Sequence, residues 1–436
     1  MNLDKWTEEF SGKKILVWGY GMEGRSTCAF LRMCVPEQTV TVADSRNRTE
    51  TFLHQIETEN PGYHAIFDDE IDFGAYDMII KSPGIVVPEG VDTASITGQA
   101  PLFLKMYRDR IIGITGTKGK STTTSLTAAV LNTKYRTHLV GNIGRACFDV
   151  IPDMEEDDLV AFEISCHQLE YAHTSPHTAV YLNLFEEHLD HYGSFAAYGR
   201  AKDQIFLHQE PGDVLIIGEA IKDRAQRPDA FLIGRDINAE GHELYCEGRK
   251  LNVENCSLIG EHNYRNLAVV WKIASLYGIS DEAFLEAAAA FAPLHHRLED
   301  LGEHNGIRFV DDSISTIGQS CIQAVTSLPE TDTVLVGGMD RGIDYTDLKE
   351  FLKERDDLHV IFMYASGKRV FKELSEEGAA SDKWHVCEDL AEAVELGRKL
   401  TREHHICLLS PAASSYDHFK NFEERGDVFR KLAFEL

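Results

Sequence analysis

Cysteine pairs at metal-ligand spacing are missing from this chain. Its nine cysteines are scattered, odd in number and never form a CxxC, so neither a zinc site nor a disulfide framework is indicated. Long apolar runs are missing too. None approaches the roughly 18 residues that a membrane span needs, and the first ten residues lack the basic-then-apolar profile of a secretory signal. Positive charge is scarce, with 43 Lys and Arg against 71 Asp and Glu, a formal net charge of -28, which argues against a general nucleic-acid binder. There is no low-complexity segment and no short internal repeat. No long apolar stripe suggests an obligate interface. A monomer of the reducing cytoplasm is expected, partnered by small molecules and not by nucleic acid or membrane. Its 436 residues allow two to four domains. An acidic protein that handles anions must build local positive sites, so isolated Lys and Arg beside glycine-rich turns carry the information.

The strongest such turn is Gly113-Ile-Thr-Gly-Thr-Lys-Gly-Lys-Ser-Thr-Thr-Thr124. It follows the apolar pair Ile111-Ile112 and precedes a helix-like run from Ser121 to Leu131. Strand, glycine-rich turn and helix aim backbone N–H groups and a helix N-terminus at phosphate oxygens. Gly116, Thr117, Lys118, Gly119 and Thr122 would frame the phosphates of ATP, Lys120 would neutralise them, and the Ser121 hydroxyl would meet Mg²⁺. The usual eight-residue spacing is not kept, since Ile114 holds the first glycine position. An empty Gly/Thr/Lys turn is the bland alternative.

A second glycine-rich turn, Gly19-Tyr-Gly21-Met-Glu-Gly24, closes the apolar run Lys14-Ile-Leu-Val-Trp18. A helix-like stretch (Arg25 to Met33) and a strand (Thr39 to Ala43) follow, and Asp44 lies 20 positions after Gly24. This order is a Rossmann-type half that implies a dinucleotide or nucleotide-diphosphate site; a turn that only packs tightly is its alternative. Strand Asp77 to Lys81 leads into the turn Ser82-Pro83-Gly84-Ile85. Apolar strands recur at Leu159–Ile164, Ala179–Leu184 and Val214–Ile217, then at Ile307–Val310, Thr333–Val336, Val360–Tyr364 and Ile406–Leu409. All alternate with helical patterns. The expected class is α/β with three nucleotide-fold modules in series: 1–105, 106–299 and 300–436.

Acids and imidazoles fall at strand ends, where open parallel sheets keep their ligand sites. Glu163 ends one strand and precedes Ser165-Cys-His-Gln168; beside a phosphate turn it is a natural second anchor for Mg²⁺. His188 follows the next strand and could be a further ligand, although alone it reads as an ordinary histidine. Lys202 by itself reads as a solvated helix lysine. His262-Asn263-Tyr-Arg-Asn266 opens a helix, and His296-Arg297-Leu-Glu299 supplies a cation suited to phosphate.

In this order and company the residues resemble those of the Mur ligases, from Gly19 to Gly426. The motifs that carry the likeness are Gly-Thr-Lys-Gly-Lys-Ser-Thr, Gly141-Asn142-Ile-Gly144, Glu163 with Ser165, His188, Lys202, His262-Asn263 with Asn266, His296-Arg297 with Glu299, and the C-terminal run Ser410-Pro-Ala-Ala-Ser-Ser415 to Phe422-Glu-Glu-Arg-Gly426. The last points to the branch that adds glutamate. The resemblance implies a first domain that holds the UDP end of a muramoyl-alanine substrate through Gly21, Met22, Asp44, Ser45, Arg46, Ser82, Pro83 and Gly84, with Asn142, Ser165 and Gln168 added from the middle domain. It implies a middle ATPase domain with Lys120, Glu163, His188 and Lys202 as catalytic residues. Two Mg²⁺ ions would be held by Ser121, Glu163, His188 and a carbamylated Lys202. Asn266, Arg297 and Asp312 would hold ATP, while Thr316, Arg341, Ser415 and Phe422 would hold glutamate in a third, Rossmann-like domain. The implied reaction is ADP-forming: an acyl phosphate forms on UDP-N-acetylmuramoyl-L-alanine and is then attacked by the amine of glutamate, the D enantiomer by the C-terminal motif.

Departures gather round the amino-acid pocket. Ile314 stands in Asp312-Ser-Ile-Ser-Thr316 where the family more often has lysine, and Arg341 stands where lysine is frequent. Glu187 replaces the aspartate that commonly precedes the metal-binding histidine. A related branch that adds L-glutamate has similar departures around the pocket, so L-glutamate is the alternative. Folylpolyglutamate synthase shares the ATPase but lacks a first domain like residues 14–85. A non-catalytic nucleotide sensor is the rival from another class.

Overall fold

The computed structural model describes residues 3–44, 49–187, 189–256, 258, 260–292 and 294–434. Three sheets organise the chain. The first contains β1 (Ile15–Trp18), β2 (Thr41–Ala43), β3 (His64–Ile66), β4 (Met78–Lys81) and β5 (Ile96–Thr97), in the order β3-β2-β1-β4-β5. All its pairings are parallel. Strands β1 and β4, buried along their whole length, read as apolar runs (Ile-Leu-Val-Trp and Met-Ile-Ile) rather than alternating ones.

The second sheet holds β6 (Ile111–Thr115), β7 (Thr137–Gly141), β8 (Leu159–Glu163), β9 (Thr178–Tyr181), β10 (Val214–Gly218), β11 (Phe231–Ile233), β12 (Ile237–Glu240), β13 (Glu243–Cys246) and β14 (Arg249–Asn252). Its order is β14-β13-β12-β11-β10-β9-β6-β8-β7. Strands β12 to β14 form an antiparallel extension that the alternating α/β reading did not anticipate. Strand β6 is flanked by β8 and β9. The carboxyl end of β6 is thus a topological switch point, the place where open parallel sheets keep their ligand sites.

The third sheet runs β15-β16-β20-β17-β18-β19, from β15 (Glu299–His304), β16 (Ile307–Asp311), β17 (Thr331–Val336), β18 (His359–Phe362), β19 (Trp384–Val386) and β20 (Ile406–Leu409). Only β15 pairs antiparallel. The chain divides into two compact units: residues 1–256 with 265–290, which carry the first two sheets, and residues 257–264 with 291–436, which carry the third. No disulfide forms among the described residues, and every cysteine but Cys256 is buried. No helix among the described residues is long and apolar enough to cross a membrane.

Candidate functional site

At the end of β6 the backbone must turn sharply, and glycines permit it. Gly119 has φ +85°, and a Cβ there would stand 3.0 Å from Asn266 Oδ1. Asn266, on the helix Glu261–Leu276, is therefore brought against the turn. The helix Lys120–Leu131 starts immediately after Gly119, with Ser121 and Thr122 buried in its first turn. Asn183, which follows β9, clamps the turn: its Oδ1 accepts from the Thr117 and Lys118 amides at 3.1 and 2.8 Å, and its Nδ2 donates to Lys118 O at 3.0 Å. Thr117 Oγ1 bonds Phe185 O and Tyr198 OH, both at 3.2 Å. Lys118 Nζ lies 3.3 Å from Glu187 Oε1.

Two ammonium groups converge on one carbonyl. Lys120 Nζ donates to Gly116 O at 2.9 Å, and Lys202 Nζ, from the helix Phe195–Leu207, donates to the same oxygen at 2.8 Å. Lys202 is 1% exposed. Burial, reinforced by the like charge of Lys120, pulls its pKa down to about 7. Burial also lowers Lys120, against the pull of Glu163 and Glu187. The solvated-lysine reading of Lys202 is thereby excluded.

Glu163 is fully buried at the end of β8, level with Ile114 on one side and Gly141 on the other. A Cβ at Gly141 would come within 2.1 Å of Glu163 O, so only glycine lets β7 pass this close. Asn142, next in the chain, donates from its backbone to Glu163 O at 3.0 Å and from Nδ2 to Glu163 Oε1 at 3.1 Å. Glu163 Oε2 has no hydrogen-bond partner among the described residues. A buried carboxylate oxygen left open costs stability unless a charge meets it. A hard divalent cation such as Mg²⁺, which takes oxygen ligands, fits that vacancy in the bonding scheme. His188, expected as a further ligand, lies outside the described residues.

The first sheet presents its own turn. Gly19 has φ +98° and lies so close to Ser82 that a Cβ would sit 2.6 Å from Ser82 Oγ; a Cβ on Gly24 would lie 1.9 Å from Gly19 O. Gly21 caps the helix Met22–Cys34, and Met22 is 75% exposed. Asp44 is buried and accepts from the Tyr20 amide at 2.6 Å, so it holds the turn in shape. Ser45 and Arg46 lie outside the described residues. Ser82, Pro83 and Gly84 form the neighbouring turn after β4, with Ser82 Oγ donating to Gly19 O at 3.1 Å. Ser165 and Gln168 cap one short helix reciprocally, and Gln168 Nε2 reaches Glu23 Oε1 at 2.8 Å.

In the other compact unit, Asp312 follows β16, accepts from Ser410 Oγ at 2.9 Å, and is pushed by burial to a pKa of about 7. Arg297 supplies opposing positive charge. Arg425 is fully buried and donates to Ser313 O, Ser313 Oγ, Ala413 O and Ser414 O at 2.7, 3.0, 3.0 and 3.4 Å. Ser313 Oγ in turn donates to Phe422 O at 2.7 Å. The loop before Thr316, the loop holding buried Ser415, and Phe422 are thus tied together by one guanidinium. Met339 N donates to Ser414 O at 2.8 Å, which brings the loop of exposed Arg341 alongside. The roles of Asn183 and Arg425 are not legible in the sequence; only the number of backbone groups each one satisfies reveals them.

Residues 114–274 match the family model described as Mur ligase middle domain. Over 98% of this chain and 96% of the relative, the sequence is 32% identical to a UDP-N-acetylmuramoyl-L-alanine--L-glutamate ligase of Xanthomonas euvesicatoria pv. vesicatoria. It is 30% identical, over 99% of this chain and 100% of the relative, to a UDP-N-acetylmuramoylalanine--D-glutamate ligase of Bacillus cereus. In fold it is similar to the MurF ligase of Thermotoga maritima solved in complex with ADP, with a TM-score of 0.60, 17% identity, and coverage of 91% of this chain and 95% of that one. With near full-length coverage at this identity, the chain belongs to the Mur ligase family.

Proposed function

We propose that this protein is an ATP-dependent ligase that joins glutamate to UDP-N-acetylmuramoyl-L-alanine during peptidoglycan precursor synthesis. One observation carries the reading: Lys120 and Lys202 meet on the Gly116 carbonyl, at the strand end beside the buried, half-satisfied carboxylate of Glu163. A phosphate turn that only packs has no use for such a set.

The alanyl carboxylate attacks the γ-phosphate of ATP, giving ADP and an acyl phosphate. The glutamate amine attacks the acyl carbon, and phosphate leaves. Lys120 balances charge on the transferred group, and the turn amides with the helix N-terminus orient the phosphates. Ser121, Glu163, His188 and the Lys202 carbamate are our proposed holders for two Mg²⁺ ions. Bound Mg²⁺ would supply further positive charge against the phosphoryl group. A lysine with pKa about 7 is largely neutral in mildly alkaline solution, which carbamate formation from CO2 requires. Asn266, Arg297 and Asp312 are proposed for ATP. Thr316, Arg341, Ser415 and the Phe422 backbone are proposed for glutamate, and Gly21, Met22, Asp44, Ser45, Arg46, Ser82–Gly84, Asn142, Ser165 and Gln168 for the sugar nucleotide. The division into 1–105, 106–299 and 300–436, the monomeric state and the cytoplasmic location belong to the same proposal.

We read the added enantiomer as L-glutamate rather than the D form expected from the C-terminal motif. Ile314 and Arg341 support this, because both change the charge geometry of the pocket in the way of the L-adding branch, and an L-glutamate ligase is among the relatives. The test is incubation with ATP, Mg²⁺, UDP-N-acetylmuramoyl-L-alanine and each glutamate enantiomer separately, with the product weighed and phosphate counted. Product from L-glutamate alone is the expected result. Product from D-glutamate alone restores the first expectation, and phosphate release with neither removes the enzyme reading.

A further inference from the structure

The reaction as described leaves a buried charge unused inside the unit that carries the first two sheets. Lys81 ends β4 with its side chain 1% exposed. Its ammonium donates to the carbonyls of Ser82, Pro83 and Ile85 at 3.4, 3.1 and 2.7 Å, and stands 3.5 Å from Glu170 Oε2. The turn 82–85 is therefore wrapped around this one group. Glu170 directly follows the helix Cys166–Leu169, whose Gln168 bonds Glu23. Lys81, Glu23, Gln99 and Gln168 line one small cleft. Gln99 is 1% exposed and donates through Nε2 to Glu23 O at 2.9 Å; its Oε1 has no partner among the described residues.

Glu23 is the odd member of this set. The N-terminus of the helix Met22–Cys34 favours anions, and Glu23 already places one in its first turn. A diphosphate brought to the same helix end meets that carboxylate at close range. Each of Lys81 and Glu23 stabilises the other's charge against burial, which lowers the pKa of the lysine and raises that of the acid.

We propose that Lys81 is a positioning residue for the sugar-nucleotide diphosphate: it shapes the 82–85 turn, holds the helix of Gln168, and offsets Glu23 so that the 19–24 turn accepts an anion despite its own carboxylate. This rests on the proposed UDP-substrate. The test is steady-state kinetics of Lys81→Met, Glu23→Gln and the double variant, with UDP-N-acetylmuramoyl-L-alanine varied. Lys81→Met raises the KM for that substrate about tenfold, with kcat and the KM values for ATP and glutamate within about twofold. The double variant recovers part of the loss, since the Glu23 carboxylate is gone while Glu170 stays without its lysine. Glu23→Gln alone, whose amide keeps a hydrogen-bonding side chain in place, lowers the same KM about threefold. An unchanged KM in Lys81→Met, a double variant as impaired as the single, or a raised KM in Glu23→Gln overturns the proposal; the last arm decides even where Lys81→Met does not fold. Wild-type protein that fails to turn over the UDP-substrate sinks the proposed function instead, so the two failures are distinguishable.

Discussion

The turns at 19–24 and 116–119 use the same backbone device with opposite supplies of charge. Both follow a buried parallel strand, both need glycine where a Cβ has no room, and both feed a helix. The turn at 116–119 carries its cations in its own sequence, Lys118 and Lys120, and recruits Lys202 from a helix. The turn at 19–24 carries a carboxylate, Glu23, is braced by a second, Asp44, and draws its cation from the neighbouring strand as Lys81. In the proposed reaction the turn at 116–119 keeps Lys120 as the cation for the transferred phosphoryl group, while burial and the like charge of Lys120 depress Lys202 and ready it for conversion to a carbamate. A turn that only holds a ligand needs balance.

The comparison breaks most visibly if the lysines gathered at 116–119 are dispensable. Lys120→Ala is expected to lower kcat by about 10³ or more, measured as glutamate-dependent phosphate release. Lys202→Ala should fall nearly as far and recover in part when short carboxylic acids are added. Full activity in that variant would contradict the carbamate.

Next in size is Gly24→Ala. Its Cβ would sit 1.9 Å from Gly19 O, so we expect a loss of about 2–4 kcal/mol in unfolding free energy. Gly119→Ala, strained by its positive φ, should weaken ATP binding and spare the UDP-substrate, each affinity read by calorimetry. Equal effects of Gly119→Ala on both ligands would erase the distinction between the turns.

A titration sharpens it further. The Lys202 pKa falls from 10.5 to about 7 on folding, so below pH 7 both folded and unfolded chains carry the proton. Between about pH 7 and 10.5 the unfolded chain binds more protons, and the Lys202 contribution to stability therefore rises with pH across that window. The neutral amine should grow about tenfold per pH unit from pH 5 to 7 and then level off. Because the amine loses a proton as it joins CO2, the carbamate signal in ¹³C NMR at fixed dissolved CO2 should climb more steeply than the amine and go on rising above pH 7 until the site is filled. The smallest effect belongs to Arg341→Lys, which exchanges a fork for a point charge on an exposed loop and should shift the glutamate KM about threefold.

The sequence made legible whatever is local. Strand, glycine turn and helix at both sites follow from apolar runs and glycine spacing, and β8, β16 and β20 lie within a residue or so of where the runs place them. What lies hidden depends on pairings far apart in the chain. Lys81 reads as a strand-end lysine until Glu170 is folded against it. Arg425, in a motif rich in charge, reads as surface, although it satisfies carbonyls 11, 12 and 112 residues away. Asp44 fits the position of a ligand-reading acid, and that its Oδ2 also accepts from the Tyr20 amide shows only once the chain is folded. The hairpin strands β12 to β14 escape the sequence because short, polar, alternating runs such as Arg249–Asn252 carry too weak a pattern.

That hairpin has a use of its own. Without it the second sheet would stop at β11 with six strands and offer the ladder groups of Phe-Leu-Ile to any passing strand. Here the outermost rung is Arg-Lys-Leu-Asn, three of its four side chains exposed. Charged edges of this kind discourage strand-to-strand association between copies, so the border of the sheet doubles as a guard against fibre growth during folding.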